Sequence, residues 1–214
     1  MLPVPFLFNT LRGHGTLYAA KNCLFERKRL MLDTKSITKI VVTGGPCSGR
    51  STALAELEKT FSKLGYYVLF TADTSRLLRS SHASPELLGS PLNFERMRLE
   101  LQESEEKIYE TDARYTPHKK VLLICNGGAL DGVADIGKAE FRELLREEGW
   151  NEVTLRDSYD AVFHLTTAAK GQPDFYKGEM TPEQAAVYDD ALIAAWTGQP
   201  HFRVIGCEPD FTDK

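Results

Sequence analysis

Gly44, Gly49 and Ser51 stand at the spacing of a phosphate-binding loop, within Gly44-Gly-Pro-Cys-Ser-Gly-Arg-Ser-Thr52. In such a loop the glycines let the backbone curl so that successive N–H groups face a phosphate. A lysine then reaches the outer phosphates, and a Ser or Thr hydroxyl joins the Mg²⁺ shell. Here Gly44, Gly45, Pro46, Cys47, Ser48, Gly49, Ser51 and Thr52 keep the pattern, with Ser51 as the Mg²⁺ ligand, while Arg50 replaces the lysine. Arginine keeps the charge but is longer, planar and forked, so it does not copy lysine's compact point charge. The chemistry implied is binding of ATP or GTP with Mg²⁺, by a loop altered at its one obligatory cation. Occupancy of the loop by nucleotide and its absence are both compatible with the sequence.

The loop needs a strand before it and a helix after it. Ile37 to Thr43 is a near-continuous apolar, β-branched run, the pattern of a strand buried on both faces. Ser51 to Leu64 reads as a helix with Leu54, Leu57 and Phe61 on one side, ended by Gly65. Further strands are predicted at Tyr66–Thr71, Val121–Cys125, Asp160–Leu165 and Phe202–Ile205. Between them helices are expected from Arg76, from Asn93 to about Arg114 with Asn93 as its cap, over Ile136–Glu148, and from Thr181 to about Thr197. Thr181, Pro182 and Gln184 have the spacing of a capping box with proline at the first helical position. The charged run Glu103–Lys107 reads as a solvated face, and residues 168–178 as a loop. Strands alternating with helices, with the glycine loop after the first strand, predict an α/β fold, a doubly wound parallel five-stranded sheet of P-loop type. It should occupy residues 36–214, preceded by an N-terminal arm over residues 1–35.

Composition narrows the functional classes. With 42% hydrophobic and 26% charged residues, the chain has what one globular core needs. Its net charge of −4 provides no basic field for nucleic acid. No run of about 18 apolar residues occurs, so no membrane span is expected. The arm differs from the rest: Arg12, Lys21, Arg27, Lys28 and Arg29 oppose only Glu26 within residues 1–32. Leu17, Ala20, Leu24 and Met31 follow helical spacing there. Apolar arms stay ordered only when tied down, so protein partners are expected through this segment. The location expected is intracellular: cytoplasmic or, with the basic segment as a retained targeting sequence, mitochondrial. The four cysteines lack metal-ligand spacing and read as free thiols; Cys47 and Cys125 would approach one another if they end neighbouring strands.

Three segments together resemble an AAA-like P-loop family that includes the kinase domain of NadR-type nicotinamide-riboside kinases and the TRPL translocation defect protein. They are Thr43–Thr52, Cys125-Asn-Gly-Gly-Ala-Leu-Asp-Gly132 and Leu155-Arg-Asp-Ser-Tyr-Asp-Ala-Val-Phe-His-Leu165. The resemblance implies a nucleoside-kinase-like P-loop NTPase fold and phosphoryl transfer from a nucleotide. The departures from it are correlated. Where the family's third strand ends in Asp-Arg, this chain has Asn126 and Gly127. Where the family's lid carries an arginine, the nearest cation is Lys177. Asn126 cannot take a proton or neutralise a metal. Losses of this kind cost about 2–4 kcal/mol each in a transfer barrier. Asp131, matching an Asp of the family segment, and Asp73, just after the second strand, are the candidate catalytic acids. Asp157 and Asp160 read as turn and cap residues, and His164 as a core residue. Three functions follow: a catalytically impaired nucleotide-binding protein, a structural subunit of a larger assembly, or an active small-molecule kinase in which Arg50 and Asp131 replace the usual groups.

Overall fold

The computed structural model describes residues 35–207; the expected arm, apart from Lys35, lies outside them. The strands are β1 (Ser36–Gly44), β2 (Tyr67–Phe70), β3 (Lys120–Asn126), β4 (Ala161–Leu165) and β5 (Phe202–Ile205). They form one parallel sheet in the order β2-β3-β1-β4-β5. The order reverses at β1, so a crevice opens at its carboxyl end, where open α/β sheets take their ligands. Register brings Val42 beside Asn126 and Gly44 beside Leu165 there.

The helices are α1 (Arg50–Lys63), α2 (Thr74–Ser80), α3 (Pro91–Tyr115), α4 (Val133–Ile136), α5 (Lys138–Glu148), α6 (Glu152–Asp157), α7 (Ala168–Gly171) and α8 (Pro182–Trp196), with 3₁₀ turns at Ala129–Gly132 and Pro173–Phe175. Side chains alternate across the sheet. Val41, Leu123, Cys125 and Val162 pack with Leu99 of α3, Phe141 and Leu145 of α5, Leu155 of α6 and Trp196 of α8. Ile40, Val42, Leu122, Ile124 and Leu165 face the other way, toward Ala53, Leu54, Leu57 and Phe61 of α1. The first layer is the thicker one; α1 buries no residue completely.

Several boundaries differ from expectation for local reasons. The long helix begins at Pro91, capped by Ser90, whose hydroxyl accepts from Asn93 N at 3.1 Å. Asn93 lies inside the helix, and its side chain donates to Leu88 O. The helix expected over Ile136–Glu148 begins at Lys138; Ile136 ends the short α4, and Gly137 between the two has φ 84°, a backbone shape that suits glycine. Asp157 ends α6 and pairs with Arg156, while Asp160 accepts from Lys39 N at 2.7 Å. The segment 168–178 contains α7 and a 3₁₀ turn. The Thr181–Gln184 capping box forms as the spacing predicts.

The run Glu103–Lys107 is not a uniformly solvated face. Glu106 is buried, accepting from Lys39 Nζ at 3.1 Å and Tyr159 Oη at 2.8 Å. Glu105 accepts from Ala72 N at 2.9 Å. A charge buried at such a position is stable only because these donors replace water. Burial works against the charge of Lys39, but Glu106 and Glu110 outweigh it and hold its amine at about 12.

Candidate functional site

The phosphate loop bridges β1 and α1 because its backbone adopts shapes that glycine permits. Gly44 has φ 154°, and a Cβ there would lie 2.3 Å from Leu165 O of the neighbouring strand. Gly49 is left-handed, φ 85°, at the N-cap of α1. No side chain caps this helix, and no acid lies in its first turn. Its leading N–H groups and the positive end of its dipole are therefore directed at the crevice, the arrangement that binds phosphate.

A cleft of about 670 Å³ opens above the loop and is lined by residues 44–52. Asp73, Arg79, Arg98, Asn126, Asp131, Asp135, Glu179 and Tyr188 are among the polar residues on the rest of its wall, and Gly127 adjoins them. The nine loop residues singled out from sequence, together with Asp73 and Asp131, thus share one cleft. Lys177 is not on its wall; the segment before α8 contributes Glu179 and Met180 instead.

The cations of the cleft are already engaged. Arg50 turns across the cleft to Asp73, Nη2 to Oδ2 at 2.9 Å. Asp73 is held in place by its second role as N-cap of α2, accepting from Arg76 N at 3.0 Å. Arg98, reaching in from α3, is buried and paired with Glu95 through contacts of 2.6–2.9 Å, and it also donates to Ala129 O at 3.0 Å. Burial disfavours the Arg98 charge, yet Glu95 more than compensates and raises its pKa above the ordinary value. Arg79 lies over the Phe94 ring at 4.9 Å.

Asp131 is not a loose loop acid. One carboxylate oxygen accepts from Thr43 Oγ1 at 2.9 Å and Gly128 N at 3.1 Å, the other from Trp196 Nε1 at 2.8 Å. It fastens the end of β3 to β1 and α8. Beside it Gly127 has φ 88°, and a Cβ there would lie 3.1 Å from Asp131 Oδ2 and 3.6 Å from Arg50 Nη1. Asp135 on α4 accepts from Tyr188 Oη at 3.3 Å. Crowding strips water from its carboxyl, and Glu95 adds repulsion, pushing it up to about 6.

A carboxylate behind the loop escaped the sequence reading. Asp189 of α8 is fully buried and accepts from Gly45 N at 3.1 Å, Thr167 N at 3.1 Å and His164 Nε2 at 2.9 Å. His164 is therefore a partnered core residue. Burial opposes the Asp189 charge, but His164 and Lys170 more than offset it and hold the carboxyl below its usual range. Cys47 is exposed on the loop with φ 56°, Cys125 is buried, and both are free thiols. Burial, reinforced by Glu106, raises the Cys125 pKa, which disfavours its reactive thiolate.

The residues present fit a phosphate chain: uncapped helix N–H groups, a glycine turn and a polar cleft. For Mg²⁺ they offer the exposed Ser51 hydroxyl, since Asp73 and Asp131 are engaged by other donors. No cluster of three His, Cys, Asp or Glu suited to a metal occurs among the described residues. No described helix is long and apolar enough to cross a membrane.

Comparison places this arrangement among known folds. The structure is similar to that of a deoxyadenosine kinase from M. mycoides, solved with bound dATP. The TM-score is 0.51 at 16% identity, over 82% of this chain and 94% of that one. At that identity the likeness concerns the fold. No curated protein sequence matches the chain. The model of the AAA domain family matches residues 39–211, from β1 past β5. With that match spanning most of the chain, and with a glycine loop joining β1 to α1 at the reversal of a parallel sheet, the chain belongs to the AAA domain family of P-loop proteins.

Proposed function

We propose that the cleft binds a purine nucleoside triphosphate, ATP or GTP, and that the chain transfers its terminal phosphoryl group poorly or not at all. The observation that carries this reading is the Arg50–Asp73 ion pair at 2.9 Å. The side chain standing where a phosphate loop keeps its mobile lysine is committed to a carboxylate across the cleft. Phosphoryl transfer depends on positioning and charge stabilisation, so a missing cation weighs heavily. Asn126 adds no negative charge for a metal, Gly127 adds no side chain, and Glu179 places an acid on the wall where a cation would help.

The loop supplies what binding needs. Backbone N–H groups at the start of α1 would hold the β- and γ-phosphates, and Ser51 would complete the shell of a phosphate-bound Mg²⁺. When bound, the ion would neutralise charge between the phosphates. Arg79, Asp135 and Tyr188 would face the group beyond them. The M. mycoides kinase was solved with dATP, which makes a deoxynucleotide a reasonable third ligand to test.

The experiment is a calorimetric titration with Mg·ATP, Mg·GTP and Mg·dATP beside a turnover assay. The expected result is saturable binding with turnover at least about a thousandfold below an ordinary kinase, from two or more losses of about 2–4 kcal/mol each. Turnover of about 1 s⁻¹ or faster would restore the kinase reading. Absence of binding to all three would favour a structural subunit.

A further inference from the structure

We infer that Asp189 is a positioning residue that couples the wall segment 166–181 to the phosphate loop. Its two oxygens divide the work. Oδ1 accepts from Gly45 N in the loop and Thr167 N at the start of the wall segment, each at 3.1 Å, and from His164 Nε2 on β4 at 2.9 Å. Oδ2 pairs with Lys170 Nζ of α7 at 2.9 Å. The carboxylate is fully buried, whereas Lys170 is about a quarter exposed and so remains able to move. Thr167 adds a second tie, its hydroxyl donating to Pro46 O.

Packing reinforces the bonds. A Cβ on Gly45 would meet Asp189 Oδ1 at 2.7 Å, so the loop lies against the carboxylate with no room for a side chain. A buried charge is stable only while its donors stay in place. If α7 swings out and removes Lys170, one oxygen loses its cation, and the shared carboxylate can no longer hold Gly45 and Thr167 as firmly. The same segment ends in Glu179 and Met180 on the cleft wall. Opening of that wall is thereby linked to loosening of the loop, through one side chain on α8 that touches neither the cleft nor a ligand.

The test uses amide hydrogen exchange, followed by NMR on the ligand-free chain, so it is independent of whether nucleotide binds. Lys170→Met is expected to speed exchange at both Thr167 and Gly45 by about tenfold, the scale of a hydrogen bond to a charged group. Leu123 in the sheet should not change. Lys170→Arg should restore protection. Asp190→Asn removes the other partner of Lys170, a largely exposed carboxylate at 2.6 Å, and should leave Gly45 protected. Faster exchange confined to Ala169–Gly171 would overturn the coupling. So would a rise at Leu123 equal to that at Gly45, which would mean general destabilisation.

Discussion

Replacing Asp73 by Asn should tighten nucleotide binding, and the structure sets how much. Asn retains a side-chain oxygen that can accept from Arg76 N, so the cap of α2 survives and the fold should lose little. What disappears is the charge that holds Arg50. The two side chains are 28% and 25% exposed. Two charges about 4 Å apart near a protein surface, at an effective dielectric constant of about 20, attract by roughly 4 kcal/mol before desolvation and side-chain freedom are counted. Screening and side-chain freedom bring the net value of such pairs to about 1 kcal/mol or less. If Arg50 must leave Asp73 to meet a triphosphate, removing that restraint should lower Kd for Mg·ATP about fivefold, since 1.4 kcal/mol is a factor of ten. The assay is calorimetric titration of wild type, Asp73→Asn, Arg50→Met and the double variant. The gain should vanish in the double variant, because it acts through Arg50. It should also shrink at high salt. An unchanged or raised Kd for Asp73→Asn would refute the idea that Asp73 competes with phosphate for Arg50.

Arg50→Lys alone should raise hydrolysis by less than about tenfold, because Asn126 and Gly127 remain; a gain of about a hundredfold or more, the value of one well-placed donor, would show an otherwise intact site. Arg98→Met strands Glu95 without its cation in the interior and should cost about 3–5 kcal/mol in urea unfolding, whereas an exposed pair would cost less than 1 kcal/mol. Asp135 is raised from 3.8 to about 6, so between those values the folded chain holds a proton that the unfolded chain has lost. Its contribution therefore favours the folded state as pH falls through that window and is lost as pH rises through about 6. Asp135→Asn should flatten the part of the Tm profile between pH 4 and 6 that this group supplies, in the sense of higher relative stability at pH 7. Gly127→Arg should destabilise by about 1–2 kcal/mol, measured by thermal melting, because φ 88° suits glycine.

The parts legible from sequence were those encoded by neighbours. The apolar run into Gly44, the turn chemistry of Gly49 and the Thr181–Gln184 box each specify a local shape within a few residues. Ser90 and Pro91 carried a local signal too, but a proline after serine marks a loop as readily as a first helical turn. The missed features depend on distant partners. Glu106 looks solvated until Lys39 and Tyr159 arrive from β1 and the bend before β4. Asp189 sits in α8 with no pattern around it, and its donors come from residues 45, 164, 167 and 170. Arg50 was conspicuous as a residue type, but its direction was set by Asp73, 23 positions later.

Arg50, Gly127 and Asp131 support one another structurally. Gly127 leaves space at the end of β3, and Arg50 Nη1 comes within 3.6 Å of where its Cβ would be. A lysine at position 50, having one ammonium and no planar fork, could not span the cleft in the same way. An arginine at position 127 would need a strained backbone and would crowd both Asp131 and Arg50. Asp131, which in a loose loop could serve a metal or an acceptor, instead ties β3 to Thr43 and Trp196. Arg50, Arg98, Asp131 and Asp135 of the cleft wall each have a protein partner, so changing one of them leaves the other contacts in place. Under the function proposed above, nucleotide would be recognised chiefly by the backbone N–H groups at the start of α1, which depend on no side chain, whereas phosphoryl transfer would depend on side chains that are engaged elsewhere in the protein.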